Sequence, residues 1–429
     1  MRAIVPLALL LAACGSPASE PTTVEPEPDP PAEPEETAVT ETRRAEASDA
    51  DTRAFAASTR AFGVDLWRRL RSRDGDLVIS PASLSIGLAM TWGGARGETA
   101  HQMAETLHLG EDPGGLHRAA HAQLARWQDP RGYELHVANR LFAQQGTPLE
   151  DGFVTLTRER YGAPIERLDF GQREATRARI NAWVDERTRG RIDELLPSGS
   201  IDALTRLVLT NAVYFLGEWR TRFDADDTRD APFHADGGGA HPVPTMHVTE
   251  RFRHARADGV QVLEMPYAGE ALAMAVILPD ARDGLGALEE GLSVERLDGW
   301  LEALRERQVE VALPRFRIEM DAPLQLKPVL REMGMPLAFT PQADFRAMSA
   351  PESPDEDLFI DDVYHRAFLE VNEEGTEAAA ATAVVMRARG GPPTHDATPR
   401  FVADHPFLFV LRDLETGAIL FMGRVTDPR

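Results

Sequence analysis

The sequence predicts a single α+β domain carried behind an exported, disordered N-terminal segment. Helical periodicity fills the first part of the chain and strand patterning the second, an order that argues against a doubly wound sheet. Neither an internal repeat nor a Gly/Pro-rich linker divides residues 52–429. The length of 429 residues would alone favour about three domains, but the pattern offers no boundary between them. With 43% hydrophobic and 27% charged residues, the chain has the composition of a globular protein with a sizeable core.

Charge and cysteine content exclude several functions. Lys and Arg number 46 against 69 Asp and Glu, a net charge of −23, so nucleic acid is not an expected partner, because phosphate binding needs a basic field. No apolar run reaches the ~18 residues of a membrane helix, which argues against a helical channel or transporter. The one cysteine, Cys14, allows no internal disulfide and no Cys-based zinc site. No cofactor is expected.

The N-terminus reads as an address. Arg2 precedes an apolar stretch, residues 4–13, of signal-peptide length. It ends in Leu11-Ala12-Ala13-Cys14, which resembles the bacterial lipobox. That resemblance implies that residues 1–13 are removed and Cys14 is lipidated. Acyl chains contribute ~0.8 kcal/mol per buried methylene, so two or more anchor firmly. Gly15 in place of Asp after the cysteine implies sorting to an outer membrane, with the domain facing the periplasm or the exterior. Residues 14–51 are rich in Pro, Glu, Ala and Thr. So few apolar groups and so much like charge cannot offset the entropy of ordering, and this segment is expected to be an extended tether.

The folded part is expected to begin at Thr52. Phe55, Phe62, Leu66, Trp67 and Leu70 recur three to four apart and predict an amphipathic helix, broken by Asp74-Gly75-Asp76. Leu77-Val78-Ile79 reads as a short buried strand. Ser80-Pro81 opens a second helix, with Pro suited to a first turn, and helical patterning continues to about Trp127. Mixed segments follow to about Leu196. Strand signals then dominate at residues 207–215, 260–266, 271–278 and 309–316, and the chain ends in a hairpin, 407–411 with 418–425, around the turn 413–417.

Catalytic signatures are absent: no G-x-S-x-G elbow, no P-loop, no G-x-G-x-x-G and no H-E-x-x-H. Gly237-Gly238-Gly239 reads as a hairpin turn. His117 and His121 would share one helix face and could hold a metal, but two solvated histidines are the simpler expectation. Arg68, Arg69, Arg71 and Arg73 read as a solvated helix face.

One segment is unusual: Glu373-Glu374-Gly375-Thr376-Glu377-Ala378-Ala379-Ala380-Ala381-Thr382. A short Ala-rich helix is one reading. The preceding residues 367–371 alternate like a strand, however, and Gly390-Gly391-Pro392-Pro393 follows as open loop. If extended, the segment places Thr376, Ala378, Ala380 and Thr382 on one face. All four are small and uncharged, so they could slot into the middle of a sheet.

Several motifs in order then identify a family. They are Ile79-Ser80-Pro81-Ala82-Ser83, the run 94–99 (GARGET), Ile180-Asn181-Ala182-Trp183-Val184, residues 188–192 (TRGRI), residues 207–219 (LVLTNAVYFLGEW), Glu264-Met265-Pro266-Tyr267, Leu313-Pro314-Arg315-Phe316, and the ending Phe421-Met422-Gly423-Arg424-Val425. Across residues 52–429 the chain resembles the serpins, inhibitors that trap serine proteases by loop insertion. The resemblance implies about nine helices around three β-sheets, with an exposed reactive-centre loop. It implies a monomer and no enzyme activity.

The resemblance also assigns roles. Counting from the hinge glycine, Gly375, the fifteenth residue is Arg389, with Gly390 on the leaving side of the reactive bond. Arg387, two residues earlier, is the alternative register. An arginine there implies a trypsin-like target with a carboxylate at the base of its specificity pocket; a cysteine protease is the other candidate. Ser80, Ser83, Asn211 and His365 match the shutter, a buried polar cluster beneath the point where the sheet opens. Arg315 and Glu373 match an ion pair at the top of that opening, and Trp219 a tryptophan under the hinge. Thr245 stands where many members have methionine. Before cleavage Thr376 is expected near solvent. A non-inhibitory serpin serving as a binding or scaffold module is the alternative; such members usually carry bulky or charged inward hinge residues, which this hinge lacks.

Overall fold

The computed structural model describes residues 47–110, 113–128, 132–202, 205–236, 238–351, 357–376 and 398–429. The segments expected to be the signal and most of the tether (1–46) and the reactive loop (377–397), and with them Cys14, Glu377, Ala378, Ala379, Ala380, Ala381, Thr382, Arg387, Arg389 and Gly390, lie outside the described residues.

Nine α-helices are described: α1 (Asp49–Leu70), α2 (Pro81–Trp92), α3 (Gly97–Thr106), α4 (Pro113–Trp127), α5 (Asp151–Tyr161), α6 (Arg173–Arg187), α7 (Leu285–Glu290), α8 (Val294–Glu302) and α9 (Lys327–Met333). None is long and apolar enough to cross a membrane. Helix α1 starts at Asp49 because Ser48 caps it: the Ser48 side chain accepts from the Asp51 N–H and the Asp51 carboxylate accepts from the Ser48 N–H. All twelve residues of α2 are buried, which explains why it is apolar all round.

The strands are β1 (Leu77–Ile79), β2 (Tyr133–Gln144), β3 (Glu166–Leu168), β4 (Leu207–Glu218), β5 (Arg229–His234), β6 (Ala240–Ala257), β7 (Val260–Pro266), β8 (Leu272–Pro279), β9 (Arg305–Pro314), β10 (Phe316–Glu319), β11 (Leu324–Gln325), β12 (Val363–Val371), β13 (Gly375–Thr376), β14 (Arg400–Val402), β15 (Phe407–Asp413) and β16 (Ile419–Val425). Their hydrogen bonds connect two sheets, where the sequence reading gave three. One has seven strands in the order β10-β12-β13-β4-β2-β3, with β11 on β12; the other has nine, β1-β16-β15-β8-β7-β6-β9-β14, with β5 on β6. The difference comes from β6. Its first part pairs with β5, residues 245–254 pair with β9 and residues 253–257 with β7, so one long strand joins what would otherwise be two separate sheets.

The central strands of the seven-stranded sheet are covered on both faces. Ile180, Trp183 and Val184 of α6 pack with Ala138, Phe142, Val208, Ala212, Tyr214 and Phe368 on one side. Leu141, Leu209, Val213, Phe215, Ala367 and Leu369 face the main core with α2 on the other. Two-sided burial is why β4 reads as one continuous apolar run and not as an alternation.

Candidate functional site: a hinge seated at the opening of the seven-stranded sheet

β4 and β12 run parallel and pair from Leu209↔Val363 to Tyr214↔Phe368. Above that level they part, and β13 occupies the space between them. Thr376 pairs with Val371 of β12 and with Gly217 of β4, and Gly375 pairs with Glu218, both antiparallel. The hinge is therefore already the first piece of a central strand. Thr376 is 0% exposed, and its hydroxyl lies 2.6 Å from the Tyr267 hydroxyl. This corrects the expectation that Thr376 sits near solvent before cleavage: Gly375 and Thr376 are already paired within the sheet.

Gly375 is required by close approach. A Cβ there would meet the Gly217 carbonyl oxygen at 1.9 Å and the Glu218 Cα at 2.7 Å, backbone atoms of β4 with no flexible side chain to yield. A Cβ on Gly217 would in turn meet the Phe215 ring at 2.6 Å and the Tyr267 ring at 2.9 Å. The two glycines let the strand seat between its neighbours.

Polar contacts fix the turn that leads into the hinge. The Asn372 side-chain oxygen accepts from the Glu374 N–H (3.0 Å) and the Gly375 N–H (3.2 Å), an Asx-type turn. Trp219 donates from its indole to the Asn372 carbonyl (3.0 Å) and from its backbone to the Glu374 carbonyl (2.8 Å), and it stacks on Tyr267 at 4.5 Å. The Phe223 N–H donates to the Glu373 carbonyl (3.0 Å). The Glu373 carboxylate accepts from Arg315 (Nε at 2.7 Å) and from the Thr228 hydroxyl. Burial opposes its charge, but the hydrogen bonds from Arg315 and Thr228 hold its carboxyl below the usual range. Arg315 is where the chain leaves β9 in one sheet for β10 in the other, so this pair ties the hinge to a junction of both sheets.

Lower in the sheet, register aligns three polar side chains across three strands: Asn139 of β2 opposite Asn211 of β4, and Asn211 opposite His365 of β12. The Asn211 amide donates to the Asn139 side-chain oxygen (2.7 Å) and to Ser83 Oγ (2.9 Å). His365 donates from Nδ1 to the Asn211 side-chain oxygen (2.5 Å) and accepts on Nε2 from the Ser80 N–H (3.1 Å). Ser80 Oγ donates to the Leu420 carbonyl (2.6 Å) and accepts from the Ser83 N–H as the N-cap of α2. The structure thus brings Ser80, Ser83, Asn211 and His365 together. It adds Asn139, which sequence reasoning missed because one Asn in an alternating strand carries no local signal.

Burial holds His365 neutral, its pKa down at about 3 from 6.5. His117, also chiefly through burial, is held down at about 4. Unfolding exposes both, so between pH 6.5 and about 4 the unfolded chain binds more protons than the folded one. Stability conferred by these neutral histidines is full above pH 6.5 and is lost as pH falls through that window. Urea midpoints measured from pH 7.5 to 4.5 should fall, and His365→Gln should flatten the slope by about one proton.

Residues 57–428 match the family model for the serpins, described as serine protease inhibitors. The chain belongs to the serpin family. It is 41% identical over 374 residues to an uncharacterised serpin-like protein of Thermococcus kodakarensis, covering 86% of this chain and 84% of that one. It is 40% identical over 385 residues to the leukocyte elastase inhibitor of Bos taurus, covering 87% and 99%. Uncleaved ovalbumin superposes with a TM-score of 0.80 at 30% identity, covering 87% of this chain and 100% of that one.

Other features of this serpin are structural. His117 and His121 are not the solvated pair that the sequence suggests: His121 is buried, His117 Nδ1 meets the Tyr161 hydroxyl at 2.6 Å and His121 Nδ1 the Arg160 carbonyl at 2.7 Å, so both side chains fasten α4 to α5, and no metal-binding group of His, Cys, Asp or Glu occurs among the described residues. Gly238 and Gly239 lie in the turn between β5 and β6, where His234 pairs with Ala240. Arg68, Arg69 and Arg73 are exposed at the C-terminal end of α1, where positive charge suits the helix dipole. Thr245 is buried and its hydroxyl donates to the Val243 carbonyl at 3.0 Å.

Proposed function

We propose that this serpin is a suicide-substrate inhibitor of trypsin-like proteases, with Arg389–Gly390 as the reactive bond. One observation carries the proposal: Gly375 and Thr376 are paired between β4 and β12, with no charge or bulk at the inward position. A slot that accepts the hinge in register can accept the rest of the segment. Each inserted residue gains ladder hydrogen bonds of about 1 kcal/mol net, together with buried apolar area. Attack on the Arg389 carbonyl gives an acyl-enzyme; the freed segment 375–389 inserts as a central strand and drags the tethered protease across the body before water can deacylate it. The inhibitor is consumed and acts as a monomer. Incubation with trypsin followed by denaturing electrophoresis tests this. The expected result is a denaturant-resistant covalent complex; digestion of the loop with full recovery of trypsin would leave a scaffold and no inhibitor.

The same reading makes the protein an exported outer-membrane lipoprotein anchored through Cys14. Its support is the lipobox-like run before the single cysteine and the acidic segment between it and α1. Cys14→Ser should leave the protein soluble or unprocessed. A variant correctly cleaved and still pelleting wholly with membranes would contradict the anchor.

A further inference from the structure

A polar cavity lies away from the hinge, between β2 and α6 and against the ends of α4 and α5. Its volume is about 100 Å³ and its lining includes Asn139, Arg140, Tyr161, Trp183, Arg187 and Gln128. That is several times the space of one water, enough for a small tetrahedral anion. Two donors of the lining residues, Arg140 Nε and Trp183 Nε1, are buried without a hydrogen-bond partner. A buried donor left unmade costs the full desolvation of that group, so two such donors on residues that line one cavity point to an acceptor that belongs there.

The charge of the surroundings specifies which acceptor. Glu166 is shared between Arg140, whose Nη1 is 2.8 Å away, and Arg179, whose Nε is 2.9 Å away. Arg187 has no carboxylate partner among the described residues and repels Arg140, as does Arg179. Two guanidiniums thus share Glu166 and the third, Arg187, is unmatched, so these three arginines exceed their one carboxylate partner by two positive charges, in a chain whose net charge is −23. The Arg140 guanidinium also lies over the Trp183 ring at 4.5 Å, which holds its fork in place. Guanidinium pairs of this kind suit oxyanions, with several acceptor lone pairs in fixed geometry.

We infer that this cavity binds a small inorganic oxyanion of the phosphate or sulfate type, held by Arg140 and Arg187 with the Trp183 indole N–H as a neutral donor. Bound there, the anion ties β2 to α6 and stabilises the uncleaved fold. The site stands independently of the inhibitor reading.

The test is titration calorimetry of the full chain with sodium phosphate and, separately, sodium sulfate, at ionic strength fixed with sodium chloride. One saturable site is expected. Arg187 is exposed, so Arg187→Gln should fold normally and bind at least tenfold more weakly. Arg173→Gln, an equal loss of charge at the far end of α6, should bind as wild type. Absence of saturable binding, or equal weakening by both substitutions, would overturn the site, since the second result marks a general charge effect.

Discussion

Thr376→Arg is expected to turn the inhibitor into a substrate: rapid cleavage after Arg389, active protease recovered and little covalent complex. Thr376 is fully buried between β4 and β12 against Tyr267. A guanidinium in that place is a buried charge without a partner, costing several kcal/mol. The uncleaved protein can escape the cost by releasing β13, which forfeits only two residues of ladder at about 1 kcal/mol per hydrogen bond. Recognition and acylation should therefore persist or quicken. Insertion cannot escape it, because the new strand must begin with that residue, so deacylation wins the race. Glu377→Arg is the control: successive residues of a strand face opposite sides, and an arginine at 377 should leave most inhibition in place. Equal inhibition by the two variants would mean that insertion in this register is not how the protein works.

Arg389→Ala should abolish complex formation with trypsin while leaving the fold untouched. In a carboxylate-based pocket the arginine is a charge-assisted anchor. Its loss leaves the carboxylate of the protease desolvated and unpaired, about 2–5 kcal/mol, a fall in association of roughly thirtyfold or more. The hinge contacts of Gly375 and Thr376 are remote in sequence from residue 389, so thermal stability should not change. Arg387→Ala fixes the register: if it abolishes the complex and Arg389→Ala does not, the reactive bond lies two residues earlier.

Legibility in the sequence followed local chemistry. Short apolar runs bounded by Gly or Pro were found in place, as with β1 and β7, which are Leu77–Ile79 and Val260–Pro266 in the structure. The start of α1 was missed because its capping pair, Ser48 and Asp51, lies in acidic sequence that composition assigns to the tether. β6 was missed because its eighteen residues mix Arg, His, Thr and Pro with buried positions at irregular intervals. Residues 309–316 read as one strand, whereas Pro314 ends β9 in the nine-stranded sheet and Phe316 begins β10 in the seven-stranded one. A switch between sheets leaves no trace in hydrophobic alternation. In the site, Gly375 and Thr376 stood out because small uncharged residues follow them at alternate positions, 378, 380 and 382. Asn139 became visible only through its pairing opposite Asn211, and Tyr267 and Gly217 only through their approach to Thr376 and Gly375.

Under the proposed mechanism the segment after Thr376 becomes a strand of the seven-stranded sheet once it is cut. Thermal unfolding of the protein before and after nicking the loop with a protease that does not form a complex measures this directly. Insertion adds a full central strand, with its ladder and its buried side chains, so the nicked protein should unfold at a much higher temperature and should have lost the ability to trap trypsin. A nicked protein that unfolds at the same temperature as the intact one, or below it, would contradict the account.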